Sequence, residues 1–230
     1  MKIAVLTSSI GINKQELITP KYSNKADYHA FLGTYENFIC SGWNVHKALE
    51  FTADDTFKNR RNAKIYKILP HLFLPGYDYY FWHDATHSLE ADPEEVIEKY
   101  LSSSDIAVFK HPERNCLYEE GELVKRIGFD HANLIEDQLA FYTDVCYPKN
   151  NGLYELSCRV QRNTELTQTM GLMWWEQICM FSSRDQISFP FVCNRLNITP
   201  TIIPGKATTI NGNEIMPQLL DSFHPRRQNV

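Results

Sequence analysis

Short hydrophobic segments alternate along the chain with longer segments whose apolar residues recur at helical spacing. The pattern predicts strands at residues 3–7, 43–51, 79–82, 106–109 and 153–160. It predicts helices at residues 62–72, 92–102, 127–142, 167–181 and 185–193, the last interrupted at Pro190. Strands that alternate with helices imply an α/β fold with a central, mainly parallel sheet flanked by helices.

Local signals support some of these boundaries. Asp92-Pro93-Glu94-Glu95 combines an N-cap residue, a proline at the first helical position and an acidic first turn, so it predicts a helix start. Asn151-Gly152 is typical of a turn before a strand. From Thr199 the chain is rich in Pro, Gly and Asn. We therefore expect one domain over residues 1–195 and an irregular C-terminal arm over 196–230 that packs on the same domain.

Composition narrows the class of protein. The 230 residues are 43% hydrophobic and 22% charged, which is typical of a globular domain rather than a disordered chain or a coiled coil. The net charge of −5 disfavours a general nucleic-acid binder. No apolar run approaches the ~18–20 residues of a membrane span. The apolar stretch at the amino terminus is too short for a signal peptide, so we expect a cytoplasmic protein with reduced thiols. The cysteines form no C-x-x-C pair, which disfavours a zinc knuckle.

A basic stripe is the first candidate binding feature. In α/β sheets ligands bind beyond the carboxyl ends of the strands, which directs the search to the loops after residues 7, 51, 82 and 109. Arg60, Lys64 and Lys67 fall on one side of the predicted helix. Such a concentration of cations in an acidic protein suits a diphosphate, and the alternative interpretation is a solvated helix face.

Asp84 is the second candidate, because it directly follows the strand at residues 79–82. A carboxylate in this position can hold Mg²⁺ or Mn²⁺ against phosphate oxygens. His83, Asp84 and His87 could also form a zinc cluster, although the spacing is weak for that interpretation. The structural alternative is an aspartate that caps a turn.

The polar segment at residues 109–120 is the third candidate. His111 could be a base, a metal ligand or a hydrogen-bond donor toward a sugar. Cys116 has no activating motif beside it, so a packed thiol is favoured over a nucleophile. Taken alone, the segment is an ordinary polar loop.

The fourth candidate combines aromatic and acidic residues at 173–186. Trp174 and Trp175 either stack on sugar rings or belong to the core. Asp185 either acts as a general base toward an acceptor hydroxyl or caps a helix beside Arg184. The sequence contains no P-loop, dinucleotide-binding or serine-hydrolase motif.

The ordered set of these motifs resembles the TOD/MUCI glycosyltransferase-like family of plants, bacteria and large DNA viruses. The resemblance covers roughly residues 1–195, and its specific strings are HPERNCLYEE at 111–120 and RDQISF at 184–189. The supporting strings are KIAVLT at 2–7, FTADD at 51–55, RNAKIYKILPH at 61–71 and FWHDA at 81–85. The resemblance implies a single GT-A-like (Rossmann-like) domain that transfers sugar from a nucleotide sugar.

On the donor side, the resemblance implies a set of contacts to the nucleotide sugar. Asp84 falls where GT-A enzymes carry the Asp-x-Asp motif that binds Mn²⁺ or Mg²⁺, although only one carboxylate is present here. A further ligand would come from His87, His111 or His224. Thr7, Ser8 and Ser9 would line the base and ribose pocket, and Asp54 or Asp55 would lie near the base. The cations that would face the uracil or the diphosphate are Arg60, Lys64 and Lys67. His83 would lie next to the donor.

On the acceptor side, Asp185 falls where inverting GT-A enzymes place their base. The residues expected to contact the acceptor or the sugar are His111, Arg114, Trp174, Trp175 and Arg184. The expected function is metal-assisted, inverting transfer from a UDP-sugar to a hydroxyl of a glycan or glycoconjugate. Two alternatives stay open: a metal-dependent hydrolase of a nucleotide sugar or phosphoester, and a catalytically silent nucleotide-sugar-binding module.

Overall fold

A seven-stranded sheet forms the centre of the molecule, with six parallel strands and one antiparallel strand. The computed structural model describes residues 1–11, 15–33, 38–51 and 56–205. The strand order is β5-β3-β1-β6-β8-β7-β9, and β8 alone among these seven runs antiparallel to its neighbours. A separate parallel pair joins β2 to β4. The strands are β1 Ile3–Ser9, β2 Gln15–Glu16, β3 Asp27–Leu32, β4 Phe38–Ile39, β5 Asn44–Lys47, β6 Tyr79–His83, β7 Ile106–Lys110, β8 Tyr154–Arg162 and β9 Thr201–Ile203.

Helices cover both faces of the sheet, as expected for an α/β fold. Most of them bury apolar residues against the face that carries Leu6 and Trp82. On the opposite face Val5 and Phe81 pack against α3. No helix in the described part of the chain is long and apolar enough to cross a membrane. The helices are α1 Lys58–Ile68, α2 Pro70–Phe73, α3 Pro93–Tyr100, α4 Leu117–Arg126, α5 Ala132–Asp144, α6 Glu165–Met180 and α7 Asp185–Arg195.

The predicted fold class is confirmed, and so is the predicted start of α3. The Asp92 side chain accepts a hydrogen bond from the backbone N–H of Glu94 at 2.9 Å, as an N-cap residue should. Pro190 does not interrupt α7, which continues to Arg195. The predicted strand at 43–51 is shorter than expected, since only the edge strand β5 forms there.

Four elements differ from the sequence expectations. The strand β3 was not predicted, although it pairs with β1 and is buried over five of its six residues. The helix α4 begins at Leu117, within the segment that was expected to be a polar loop, and the helix expected from residue 127 begins only at Ala132. Within the C-terminal arm, β9 adds to the same sheet beside β7.

The topology brings the loops of interest to one edge of the sheet. Because β1, β6 and β7 are parallel to one another, their carboxyl ends lie at the same edge. The helix α1 is tied to this edge because the Ser8 hydroxyl donates to the backbone carbonyl of Ala63 at 3.1 Å. The segments that follow β1, β6 and β7 therefore lie at the sheet edge to which α1 is tied.

Candidate active site

Two lysines of α1 share one buried carboxylate at the start of α7. Nζ of Lys64 lies 2.8 Å from Oδ1 of Asp185, and Nζ of Lys67 lies 2.5 Å from Oδ2. The Lys67 and Asp185 side chains are 1% and 3% exposed, whereas that of Lys64 is 16% exposed. Spacing of three residues along α1 places both amines on one side of the helix. Lys64 is thus the member of the pair that reaches solvent.

The segment before Asp185 is held by buried hydrogen bonds. Its backbone N–H at Ser183 donates to Asp130 at 2.8 Å, and the Ser182 hydroxyl donates to Gln138 at 2.6 Å. The Arg61 guanidinium, which lies on the same helix as the lysines, donates to the carbonyls of Ile178 and Phe181. These contacts fix the position at which α7 begins, and hence that of the Asp185 carboxylate.

Buried charges dominate the electrostatics of this cluster. Burial alone would raise the pKa of Asp185, but Lys64 and Lys67 outweigh it and hold the pKa well below its usual range. Burial lowers the pKa of Lys64 to about 8, against the opposing effect of Asp185. Burial also lowers the pKa of Arg159 to about 10, and Asp185 again opposes the shift. Asp185 is therefore an ionised counter-ion to several buried cations.

Arg159 was not expected from the sequence, since it interrupts an apolar strand without any motif. It lies 1% exposed on β8, opposite Trp82 of β6. Its guanidinium donates to the backbone carbonyl of Lys67 and lies 5.0 Å from the ring centroid of Trp174. Arg159 thus extends the positive charge of the lysine pair into the core.

Asp84 stands at the end of β6, beside the lysine pair. Its backbone N–H donates to Ser157 at 2.8 Å, and its Oδ1 accepts from the Trp82 indole at 3.0 Å. Its charge acts on Lys64, which it favours in the protonated form. The structure therefore places three residues predicted for the donor side near Asp185. They are Asp84, Lys64 and Lys67.

The described residues provide limited means to hold a metal ion. They contain no group of three or more His, Cys, Asp or Glu side chains that could do so, which does not support the zinc interpretation. What they offer is the single carboxylate of Asp84. That donor set fits Mg²⁺ or Mn²⁺ held mainly by diphosphate oxygens and water. His224 lies outside the described residues.

A second polar cluster follows β7. Nδ1 of His111 accepts from the backbone N–H groups of Glu113 and Arg114 at 3.2 and 3.1 Å, so the ring proton of the neutral imidazole lies on Nε2. Burial lowers the pKa of His111, which keeps it neutral. The two backbone donors occupy Nδ1, and the role of His111 as a further metal ligand stays a prediction. Arg114 donates to Glu120 at 2.8 Å, and Arg184 lies 3.8 Å from the same carboxylate.

Trp174 is a core residue rather than a sugar platform. It is fully buried, and its indole donates to Ser188 at 3.0 Å. Trp175 is half-buried and contacts Phe51 edge-on, with ring centroids 6.4 Å apart. The stacking interpretation is therefore wrong for Trp174, because the ring has no exposed face.

The other predicted donor contacts divide into buried, engaged and undescribed residues. Thr7, Ser8 and Ser9 are buried, so their side chains do not line an open pocket. The Arg60 guanidinium donates to the Phe129 carbonyl and lies over the Phe57 and Phe129 rings. His83 is buried below Asp84, and the His87 ring contacts Thr86 at 3.0 Å. Asp54 and Asp55 lie outside the described residues.

The fold places the chain in a structural class, the GT-A-like α/β domains. Mouse xyloside xylosyltransferase 1, in its apo form, is similar with a TM-score of 0.50 over 88% of this chain and 85% of that chain, at 8% identity. The apo WbbM bifunctional glycosyltransferase has a TM-score of 0.46 over 88% of this chain and 39% of that chain, at 9% identity.

The family follows from the sequence comparison. The model of the TOD1/MUCI70 glycosyltransferase-like domain matches residues 41–210, and the chain belongs to this family. The "Probable hexosyltransferase MUCI70" of Arabidopsis thaliana is 30% identical over 154 residues, which are 60% of this chain. The match covers 25% of that relative's length. The matched range includes both specific strings, so the family resemblance inferred from them is confirmed.

Proposed function

We propose that the protein transfers a sugar from a nucleoside diphosphate sugar, with UDP favoured, to a hydroxyl of a glycan or glycoconjugate. One observation carries the proposal: the lysine pair of α1 lies beside Asp84 at the carboxyl edge of a GT-A-like sheet. Ligands of such sheets bind at that edge, and a diphosphate needs cations there. Membership of a glycosyltransferase-like family supports the same reaction.

The chemical role of the site is to stabilise the leaving diphosphate. Departure of the nucleoside diphosphate concentrates negative charge, which preorganised cations stabilise. Lys64 supplies such a cation because its side chain is partly exposed, while Lys67 stays buried against Asp185 and Trp82. Asp84 would hold a Mg²⁺ or Mn²⁺ ion, whose chemistry is to neutralise phosphate oxygens as a Lewis acid.

Asp185 does not suit the role of general base. A base works best when its pKa lies near the operating pH, whereas the two lysines hold the pKa of Asp185 well below its usual range. Both carboxylate oxygens are also engaged by lysine amines. We propose instead that Asp185 positions the lysines. The expectation of an inverting mechanism depended on Asp185 as the general base. Without that role, the sequence does not favour inversion.

The acceptor side is assigned to the cluster that follows β7. Arg114 and Arg184 both contact Glu120. Arg184 directly precedes Asp185, the first residue of α7, which pairs with the two lysines. Guanidinium and carboxylate groups are suited to hydrogen bonds with sugar hydroxyls. We therefore propose that an acceptor glycan approaches Asp84 and Lys64 from this side.

Binding and product analysis test the proposal together. UDP and UDP-sugars should bind the wild-type protein more tightly than UMP, with a further gain on addition of Mn²⁺, as measured by calorimetry. Incubation with a UDP-sugar and a panel of glycans should give an extended glycan detected by mass spectrometry. Free sugar as the main product, regardless of acceptor, would favour the hydrolase. Tight UDP-sugar binding without any turnover would favour the binding module.

A further inference from the structure

A small, largely enclosed cavity lies on the face of the sheet opposite the lysine pair. Its volume is about 20 Å³, and its walls include Tyr28 of β3, Trp43 and His83 of β6. A cavity needs at least ~10–15 Å³ of this kind of volume to hold one water molecule. The space therefore fits a single water and excludes any larger ligand.

Two polar atoms in the walls of this cavity are buried without a hydrogen-bond partner among the described residues. They are the hydroxyl oxygen of Tyr28 and Nε2 of His83, in side chains that belong to residues 3% and 1% exposed. Buried polar atoms in folded proteins are nearly always hydrogen-bonded, to protein or to ordered water. Nε2 of His83 and the phenol proton of Tyr28 therefore require a partner that the described residues do not supply.

The hydrogen-bonding roles of the two atoms are complementary. Nδ1 of His83 lies 3.0 Å from the backbone carbonyl of Asp84, which only accepts, so Nδ1 carries the proton and Nε2 accepts. The His83 ring is 1% exposed, and burial disfavours a second proton on it. Burial raises the pKa of Tyr28 to about 12, so its phenol keeps a proton to donate. The cavity is thus lined by one residue with a proton to donate and by another with a lone pair to accept one.

Other polar groups around the cavity do not satisfy this pair. The Trp43 indole donates to the carbonyl of Ile18 at 2.9 Å, and the Ser88 hydroxyl donates to Glu90 at 2.8 Å. A hydrogen bond from the Tyr22 backbone lowers the pKa of Tyr28, which means that the backbone donates to the phenol oxygen. It therefore provides no acceptor for the phenol proton.

We propose that one water molecule binds in this cavity, accepts a hydrogen bond from Tyr28 and donates one to Nε2 of His83. The water fixes the His83 ring, and through the bond from Nδ1 to the Asp84 carbonyl it fixes the turn that presents Asp84. Tyr28 is then a positioning residue for the donor site, and that consequence rests on the proposed function. The bound water and the order of the turn do not depend on it.

The test uses the full chain without ligand and compares two variants. Tyr28→Phe removes the donor to the water, whereas Tyr80→Phe is a matched control that removes a buried tyrosine hydroxyl bonded to the Leu74 carbonyl instead. Cross-relaxation NMR should show a long-lived water next to the His83 and Trp43 rings in the wild type and in Tyr80→Phe. We expect this signal to disappear in Tyr28→Phe. Hydrogen exchange of the Asp84 amide should become faster only in Tyr28→Phe.

The donor site provides an independent measurement. Partners that orient metal ligands commonly change metal affinity by about tenfold or more, so Mn²⁺-dependent UDP binding should weaken about tenfold in Tyr28→Phe relative to Tyr80→Phe. A wild-type protein without a long-lived water at His83 would overturn the proposal. Equal Asp84 amide exchange in both variants would overturn the positioning role. If the wild type bound no UDP, the proposed function would fail, and the water and exchange measurements would still decide this inference.

Discussion

Asp185 is the residue that balances the buried positive charge of the candidate site. It is the counter-ion of Lys64 and Lys67, and its charge also acts on Arg159. Removing one partner of a buried ion pair leaves the other charge uncompensated, which typically costs about 3–5 kcal/mol. A loss of activity after substitution of Asp185 would therefore have a structural cause as well as any chemical one.

We expect Asp185→Asn to lower the free energy of unfolding by about 3–5 kcal/mol, because the lysines and Arg159 lose their counter-ion. Urea denaturation followed by circular dichroism measures this. The double variant Lys67→Met with Asp185→Asn is the control, and it should recover part of the lost stability since one buried cation is gone. If Asp185→Asn kept wild-type stability and UDP affinity but abolished transfer, the carboxylate would be the base after all.

The lowered pKa of Lys64 predicts that binding of the nucleotide donor depends on pH. Burial lowers the pKa of Lys64 to about 8, so the amine loses its charge as the pH rises through that value in the ligand-free protein. If binding requires the charged amine, UDP affinity should fall by up to about tenfold per pH unit above pH 8. Calorimetric titrations from pH 6.5 to 9.5 measure the affinity.

Lys64→Arg is the matched control for this pH profile, because an arginine stays charged throughout the range. Its affinity for UDP should be nearly constant between pH 7 and 9.5. Lys64→Gln should bind weakly at every pH. A wild-type profile that stays flat through pH 9.5 would contradict a direct contact between Lys64 and the diphosphate.

At the scale of elements, the contact between α1 and α6 determines where the lysine pair lies. Gly171 of α6 packs directly on the backbone of α1: a Cβ at this position would lie 2.7 Å from the carbonyl oxygen of Ile68. Two helices that approach this closely leave no space for a methyl group. The end of α1 that carries Lys67 is thereby held against α6.

We expect Gly171→Ala to destabilise the protein by about 1–3 kcal/mol and to weaken UDP binding, because α1 must move away from α6. Gly121→Ala in α4 is the control, since its Cβ would meet the flexible Leu139 side chain, at 2.9 Å, rather than backbone. Both substitutions gain similar helix propensity, so thermal unfolding and UDP affinity isolate the contact. Similar results for both variants would contradict the role of the α1–α6 contact.

Elements with a strong local signal were predictable from the sequence, and those that depend on distant partners were not. The apolar strand β6 and the capped start of α3 carry their own signals. The strand β3 contains a buried histidine, and this polar residue type interrupts the apolar pattern by which a buried strand is predicted. His29 is accommodated only because it contacts His46 and Tyr77, each at 2.9 Å, on other elements.

The candidate site divides in the same way. The motifs predicted that Asp84 follows a strand and that Lys64 and Lys67 share one side of a helix, because strand pattern and helical spacing are local signals. The ion pair between Lys67 and Asp185 joins residues 118 positions apart, so no local pattern reports it. The burial of Trp174 depends likewise on packing between α6 and α7.

At the scale of the whole molecule, burial of histidines couples folding to pH. Burial lowers the pKa of five histidines in the described part of the chain, to about 4 for His29 and His83. The other three with a lowered pKa are His46, His71 and His111. Between the unfolded value of 6.5 and the lower folded values, the unfolded chain binds more protons than the folded protein. Stability must therefore fall as the pH drops through this window.

We expect the free energy of unfolding to decrease continuously from pH 7 toward pH 4, with each unit of lowered pKa contributing up to about 1.4 kcal/mol per histidine. Asp185 does not act in this window, because its pKa is lowered and its contribution is lost only at still lower pH. Urea denaturation at pH 7.5, 6 and 5 measures the trend, and NMR titration of the ring protons assigns it to individual histidines. Constant stability over this range, or ring protons that titrate near pH 6.5, would contradict the buried neutral state of these side chains.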